Sequence, residues 1–170
     1  MNISKKNILK YEKKYDADYK PEGMLVEEEM KRLLKKQRYL RRKELVEIGG
    51  WKSKRPLRHY RSDENDDLTV QEITKFSFKT KSEKARIGCL LALKGVSWPV
   101  ASAILHFSFP EKYPIMDFRV IWSLGWKQPS IYDFSFWQRY CMKIHKLSKK
   151  YNLPIRTVEK SLWKYSKEHQ

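Results

Sequence analysis

Apolar residues recur along this chain at the three-and-four spacing of an amphipathic helix, and no competing pattern appears. That feature limits the fold more than any other. A half-buried strand needs strict apolar–polar alternation closed by turn residues. Such runs are absent, and six glycines and seven prolines are few for a chain of many tight turns. The stretch 23–38 (GMLVEEEMKRLLKKQR) reads as a helix with Glu early and Lys and Arg late, as the helix dipole favours. A Lys-rich helix over 3–15, with Ile3, Ile8, Leu9 and Tyr15 weakly patterned, reads as a docking helix or a basic arm. Another over 40–48 is expected to stop at Gly49-Gly50. The acidic patch 63–67 is expected to cap a helix over 68–78, with Asp67 as the N-cap. Then come 82–93, with Ile87, Leu90, Leu91 and Leu93 inward, and 98–108, with Pro99 in its first turn. A helix from Met116 or Asp117 to Leu124 stops at Gly125, and two more occupy 133–149 and 155–168, the last with an apolar stripe of Val158, Leu162 and Tyr165. The helix over 133–149 carries Phe134, Trp137, Cys141 and Ile144 on one stripe and Phe136, Tyr140 and Leu147 on another, so it reads as buried. The expected fold class is all-α, and 170 residues suffice for one domain or two small helical lobes.

Charge narrows the partner. Lys and Arg number 37 against 20 Asp and Glu, a formal net charge of +17. Self-repulsion on that scale opposes compaction, and a polyanion relieves it; phosphates neutralised by Lys and Arg release counterions and add affinity. A hydrophobic content of 41%, with six Trp and ten Tyr, supplies a core and argues against wholesale disorder. Cys89 and Cys141 lie in apolar helical patterns and read as small core residues. Two cysteines cannot hold a four-cysteine iron–sulfur cluster, and His59, His106, His145 and His169 are too scattered for a metal site. The start MNISKKNILKYEKKY has no apolar run of signal-peptide length and no segment reads as a bilayer span, so a soluble, cytoplasmic protein without membrane partners is expected, nucleoid-associated in a bacterium.

The stretch 93–125 (LKGVSWPVASAILHFSFPEKYPIMDFRVIWSLG) combines two helices joined by a Gly-containing turn, a short Pro-rich connector and an Asp opening the next helix. Each part has a use on DNA. Gly95 lets backbone approach a phosphate with no side chain in the way. The unpaired N–H groups that begin the helix over 98–108 point a positive dipole end at that anion. Asp117, at a helix start, is held in a fixed direction.

These residues resemble the helix-hairpin-helix DNA glycosylase superfamily of base-excision repair. Its hairpin Leu-Pro-Gly-Val-Gly corresponds to Leu93-Lys94-Gly95-Val96-Ser97, and its Ala-x-x-Ile-Leu to Ala101-Ser102-Ala103-Ile104-Leu105. The tract aromatic-Pro-Ile-hydrophobic-Asp stands here as Tyr113-Pro114-Ile115-Met116-Asp117, closest to the branch that removes mispaired adenine. The likeness is specific over residues 82–125. It implies a two-lobe fold with a DNA cleft, the lobes being 1–60 plus 126–170 and 61–125, with the hairpin motif at 82–108. It also implies a monomer acting on double-stranded DNA with a flipped base, without iron–sulfur cluster or organic cofactor, and with room for a monovalent ion at the hairpin. Asp117 is then the catalytic carboxylate that stabilises positive charge on the deoxyribose or positions the attacking water. Bifunctional relatives carry a nucleophilic lysine at the position of Pro99, and proline cannot form a Schiff base. The implied chemistry is therefore monofunctional. Ser97 replaces the second hairpin glycine and weakens the phosphate grip if the turn demands positive φ there.

The remaining candidates are less sharply defined. In ELVEIGGWKSKR, residues 44–55, Glu47 is the candidate second carboxylate, or else a solvated helix residue. Trp51 or Lys52 would fill the gap in the duplex, unless Trp51 belongs to the core. Lys52, Lys54, Arg55, Lys94, Gly95, Val96, Ser97 and Arg119 form the candidate DNA contacts, Arg119 alternatively pairing with Asp117. Tyr113 either packs the connector or stacks on a base. The rival reading is a DNA-binding module that has the hairpin without the chemistry; an RNA-binding or toxin–antitoxin protein has charge behind it but no motif.

Overall fold

The computed structural model describes residues 3–170, and among them there is no strand. The chain forms two compact units: the part up to Lys20 with Glu111–Gln170, and Pro21–Pro110. This division falls elsewhere than the lobes expected from the sequence. The first helix is bound to the last one, and segments 21–60 and 61–110 build one core.

The first unit contains α1 (Lys5–Asp18), α8 (Phe118–Ser123), α9 (Phe134–Tyr151) and α10 (Ile155–His169). Tyr11 of α1 meets the Tyr165 ring edge-on at 5.2 Å. Ion pairs Lys14–Glu168 (2.7 Å), Lys160–Asp16 (2.8 Å) and Lys164–Asp18 (2.6 Å) run along the same seam. α8 is fixed to α10 where the Ser123 hydroxyl donates to the Leu162 carbonyl at 2.6 Å. α9 is one-sided instead of buried all round. Phe136, Trp137, Tyr140, Ile144 and Leu147 face inward, Met142 is exposed, and Cys141 is half-buried. Its one apolar face follows the three-and-four spacing 136, 140, 144, 147.

The second unit holds α2 (Pro21–Lys36), α3 (Arg42–Lys52), α4 (Leu57–Tyr60), a 3-10 turn (Asp63–Asn65), α5 (Asp67–Lys79), α6 (Glu83–Leu90) and α7 (Trp98–Ser108). α7 is its centre: every residue from Ala101 to Phe107 is buried. α3 does not stop at the glycine pair but continues to Lys52. The reason is steric. A Cβ on Gly49 would lie 2.6 Å from the ring of Tyr60, so this glycine admits α4 against the helix. The N-cap of α5 is Asp66 and not Asp67: Asp66 accepts from the Thr69 N–H at 2.7 Å, while Asp67 accepts from the Arg42 N–H at 2.8 Å at the start of α3. Beyond α5, buried Arg86 donates to the carbonyls of Ser77 (2.7 Å), Phe78 (3.2 Å) and Thr80, which the end of a helix leaves without intrahelical partners. Leu91, expected inward, is half-buried, because α6 ends at Leu90 and the chain turns there; Cys89, expected in the core, is half-buried within α6.

Candidate nucleic-acid interface and catalytic carboxylate

The turn between α6 and α7 is built around Gly95, whose φ of +86° lies in the left-handed region. A Cβ there would come within 2.8 Å of His59 Cβ and 3.0 Å of the Tyr60 ring. Glycine is thus required twice over, by conformation and by space. The Tyr60 ring lies against both Gly49 and Gly95, so α4 joins the end of α3 to the hairpin turn. Buried Asn65 completes the join. Its amide donates to the carbonyls of His59 (3.1 Å), Tyr60 (3.2 Å) and Lys94 (3.0 Å), and its oxygen accepts from the Lys94 N–H at 2.9 Å. Two of these hydrogen bonds hold the turn's backbone at Lys94, and the other two tie Asn65 to α4.

The expected DNA-contacting residues of this unit fall around that join. Lys52 ends α3, and Lys54 and Arg55 are exposed on the way to α4. Lys94 reaches Glu64 in an exposed ion pair, so a phosphate would have to compete for it. Val96 is 7% exposed; it contributes core packing, and only its backbone can serve a ligand. Ser97 has φ −96° and ψ 171°, extended backbone open to any residue, so its replacement of glycine carries no conformational penalty. Trp51 is half-buried and meets Phe107 of α7 edge-on at 5.0 Å. Burial pushes the Glu47 carboxyl above its ordinary value, Lys43 opposes this, and Glu29 and Glu44 add to it. The carbonyls of Leu93, Lys94 and Ser97 each accept a hydrogen bond.

In the other unit, Asp117 is the N-cap of α8 and accepts from the Arg119 N–H at 3.0 Å. It is half-buried, at the end of a connector whose residues 113–116 are all buried. The connector is fixed by α9: the Tyr140 hydroxyl donates to the Ile115 carbonyl at 2.7 Å, and Tyr113 stacks on Trp137 at 5.9 Å. Tyr113 is 3% exposed and packs within the connector. The Arg119 guanidinium lies over the rings of Phe118 (5.0 Å) and Trp163 (5.5 Å). Burial raises the Tyr140 phenol well above its usual value, with Glu159 and then Asp117 adding to the effect. The Tyr132 phenol is also raised, by burial first and by the charge of Asp117 second.

Sequence reasoning misses Tyr60, Asn65 and Tyr132, and it gives Tyr140 a place in the core but not its hold on the connector. Asn65 sits among Asp63, Glu64, Asp66 and Asp67, and it is the residue of that run carrying both donor and acceptor. That is a signal, although a faint one. Among the described residues no group of three or more His, Cys, Asp or Glu side chains is placed to hold a metal, and no helix is long and apolar enough to cross a membrane. Fold and composition together define an all-helical, strongly basic protein. Compared with family models, curated proteins and solved structures, the chain matches none of them.

Proposed function

We propose that the protein is a monofunctional DNA glycosylase of the helix-hairpin-helix type, excising a damaged, mispaired or modified base. The observation that carries this reading is the turn Leu93–Ser97, with left-handed Gly95 held by Asn65 immediately before the N-terminus of α7. Such a turn presents backbone N–H groups to an anion without reorganising. Asp117, half-buried on an anchored connector, supplies the carboxylate.

In the proposed reaction the base leaves the stack at a cost of a few kcal/mol, smallest for a mispaired or damaged base. The bond from C1′ to the base nitrogen breaks with its electron pair going to the base, and positive charge develops on the sugar. Asp117 stabilises that charge or orients the water whose oxygen bonds to C1′. The water's proton passes to the departing base, leaving an abasic site. The reading asks that the hairpin and Asp117 act on the same duplex.

A second reading, a non-catalytic helix-hairpin-helix DNA binder, draws on one observation: Asp117 accepts the Arg119 N–H as any N-cap carboxylate does. The two separate on a panel of end-labelled duplexes carrying single lesions, mismatches and modified bases. A monofunctional glycosylase leaves alkali-labile sites and makes no break before alkali. Breaks without alkali contradict the monofunctional assignment, and binding with no cleavage across the panel favours the non-catalytic binder.

A further inference from the structure

The loop 37–41, between α2 and α3, faces α5 across an open recess of about 440 Å3 lined by Lys36, Gln37, Arg38, Tyr39, Lys75 and Lys79. Its wall is tied down. The Leu40 N–H donates to the buried Thr74 hydroxyl of α5 at 2.9 Å, and the Gln37 amide donates to the Tyr39 carbonyl at 2.9 Å. Lys75 lies over the Tyr39 ring at 5.3 Å and shares the Glu72 carboxylate at 3.0 Å. Lys36 and Lys79 occupy the last turns of α2 and α5, where the helix dipole favours cations. The dipole does not account for Arg38, in the loop, or for Lys75, a turn earlier on α5. Four cations around one recess, with Glu72 offsetting one of them, repel each other unless an anion joins them. Gathered on a fixed wall, they are placed to neutralise phosphates of a polyanion and release their counterions.

We infer that the recess walled by Lys36, Arg38, Tyr39, Lys75 and Lys79 is a second DNA-contact site, binding the phosphate backbone of the duplex independently of the hairpin turn. The inference rests on the DNA reading above but not on its chemistry. It assigns these side chains to phosphate contacts, with no role in choosing a base.

The test is the salt dependence of binding to an undamaged duplex, measured on the full chain. The triple variant Lys36→Gln/Lys75→Gln/Lys79→Gln is compared with wild type and with Lys146→Gln/Lys149→Gln/Lys150→Gln, which removes the same charge from exposed positions of α9. The single variant Arg38→Gln repeats the test at an exposed position should the triple lose its helical circular dichroism. Each phosphate contact contributes about 0.9 to the slope of log affinity against log salt. The recess triple is expected to flatten the slope by about 2–3, Arg38→Gln by about 1, and the α9 triple by less than either. Equal flattening by both triples reduces the effect to net charge and overturns the proposal, as does no flattening or no binding by wild type. Calorimetry with inorganic pyrophosphate separates the sources of phosphate. Tight binding that is lost in the recess triple, alongside an unchanged DNA slope, assigns the recess to a free anion and overturns the DNA assignment. Excision by wild type and Asp117→Asn is read on the same preparations, so failure of the recess and failure of the glycosylase reading give different results.

Discussion

At the scale of single residues, Tyr60 and Asn65 decide whether the hairpin turn has a fixed shape. The Tyr60 ring fills the space that Gly49 and Gly95 leave open, while its buried hydroxyl has no hydrogen-bond partner among the described residues. Burial alone raises this phenol to about 12. Tyr60→Phe removes an unsatisfied buried hydroxyl and keeps the packing, so it should raise unfolding stability by about 1 kcal/mol in denaturant titrations. A loss of stability would mean that the hydroxyl has a partner. Gly95→Ala should cost about 1–2 kcal/mol for its left-handed backbone and about 1–3 kcal/mol more for the contact with His59 and Tyr60. Asn65→Ala leaves buried partners of its amide without hydrogen bonds, at about 1–3 kcal/mol for each group that water cannot reach. Both variants should weaken duplex binding as the turn loosens, measured by fluorescence anisotropy. Unchanged affinity in a folded Gly95→Ala protein would remove the turn from the interface.

Helices are where the sequence is most legible. The long ones announce themselves by three-and-four spacing, as α2, α9 and α10 do. α4 has four residues, too few to show a period, so no local pattern reveals the element that bears Tyr60. Gly49 of α3 serves the close approach of the Tyr60 ring and does not end the helix, a role that spacing along the chain does not encode. The choice between Asp66 and Asp67 turns on a contact to Arg42, 25 residues away from Asp67. Hydrogen bonds from Thr69, backbone first, hold the Asp66 carboxyl below its ordinary 3.8. A lowered folded value contributes stability above 3.8 that disappears as pH falls through the folded value. Asp66→Ala should therefore lower Tm at neutral pH, and the gap to wild type should narrow below 3.8. Glu47 has the opposite sign. Its raised value favours folding with the carboxyl protonated, an advantage complete below 4.5 and lost as pH rises through the folded value. Glu47→Gln should raise Tm at neutral pH and leave it unchanged below 4.5, and thermal melts across pH check both trends.

For the whole molecule, the charge of +17 and the run 93–125 carry the functional reading, and both are plain in the amino-acid sequence. What surrounds them is not. The clamp on the hairpin joins Asn65 to Lys94, and the anchor of the Asp117 connector joins Tyr140 to Ile115; both pairs are made by folding between distant segments. The number of phosphates engaged is a property of the whole surface. A protein making six to ten such contacts loses about 10³–10⁵ in affinity between 50 and 200 mM salt, and a fall of that order is expected for an undamaged duplex. A salt-independent affinity would mean that the excess charge does not serve DNA.

The central claim, that Asp117 performs chemistry on a flipped base, is tested most directly by single-turnover excision and duplex affinity measured together for wild type and Asp117→Asn. The account predicts excision slower by about 10²–10³, by analogy with loss of one preorganised electrostatic group, and affinity equal or higher as a negative charge facing DNA is removed. Excision at the wild-type rate by a folded Asp117→Asn protein would contradict it.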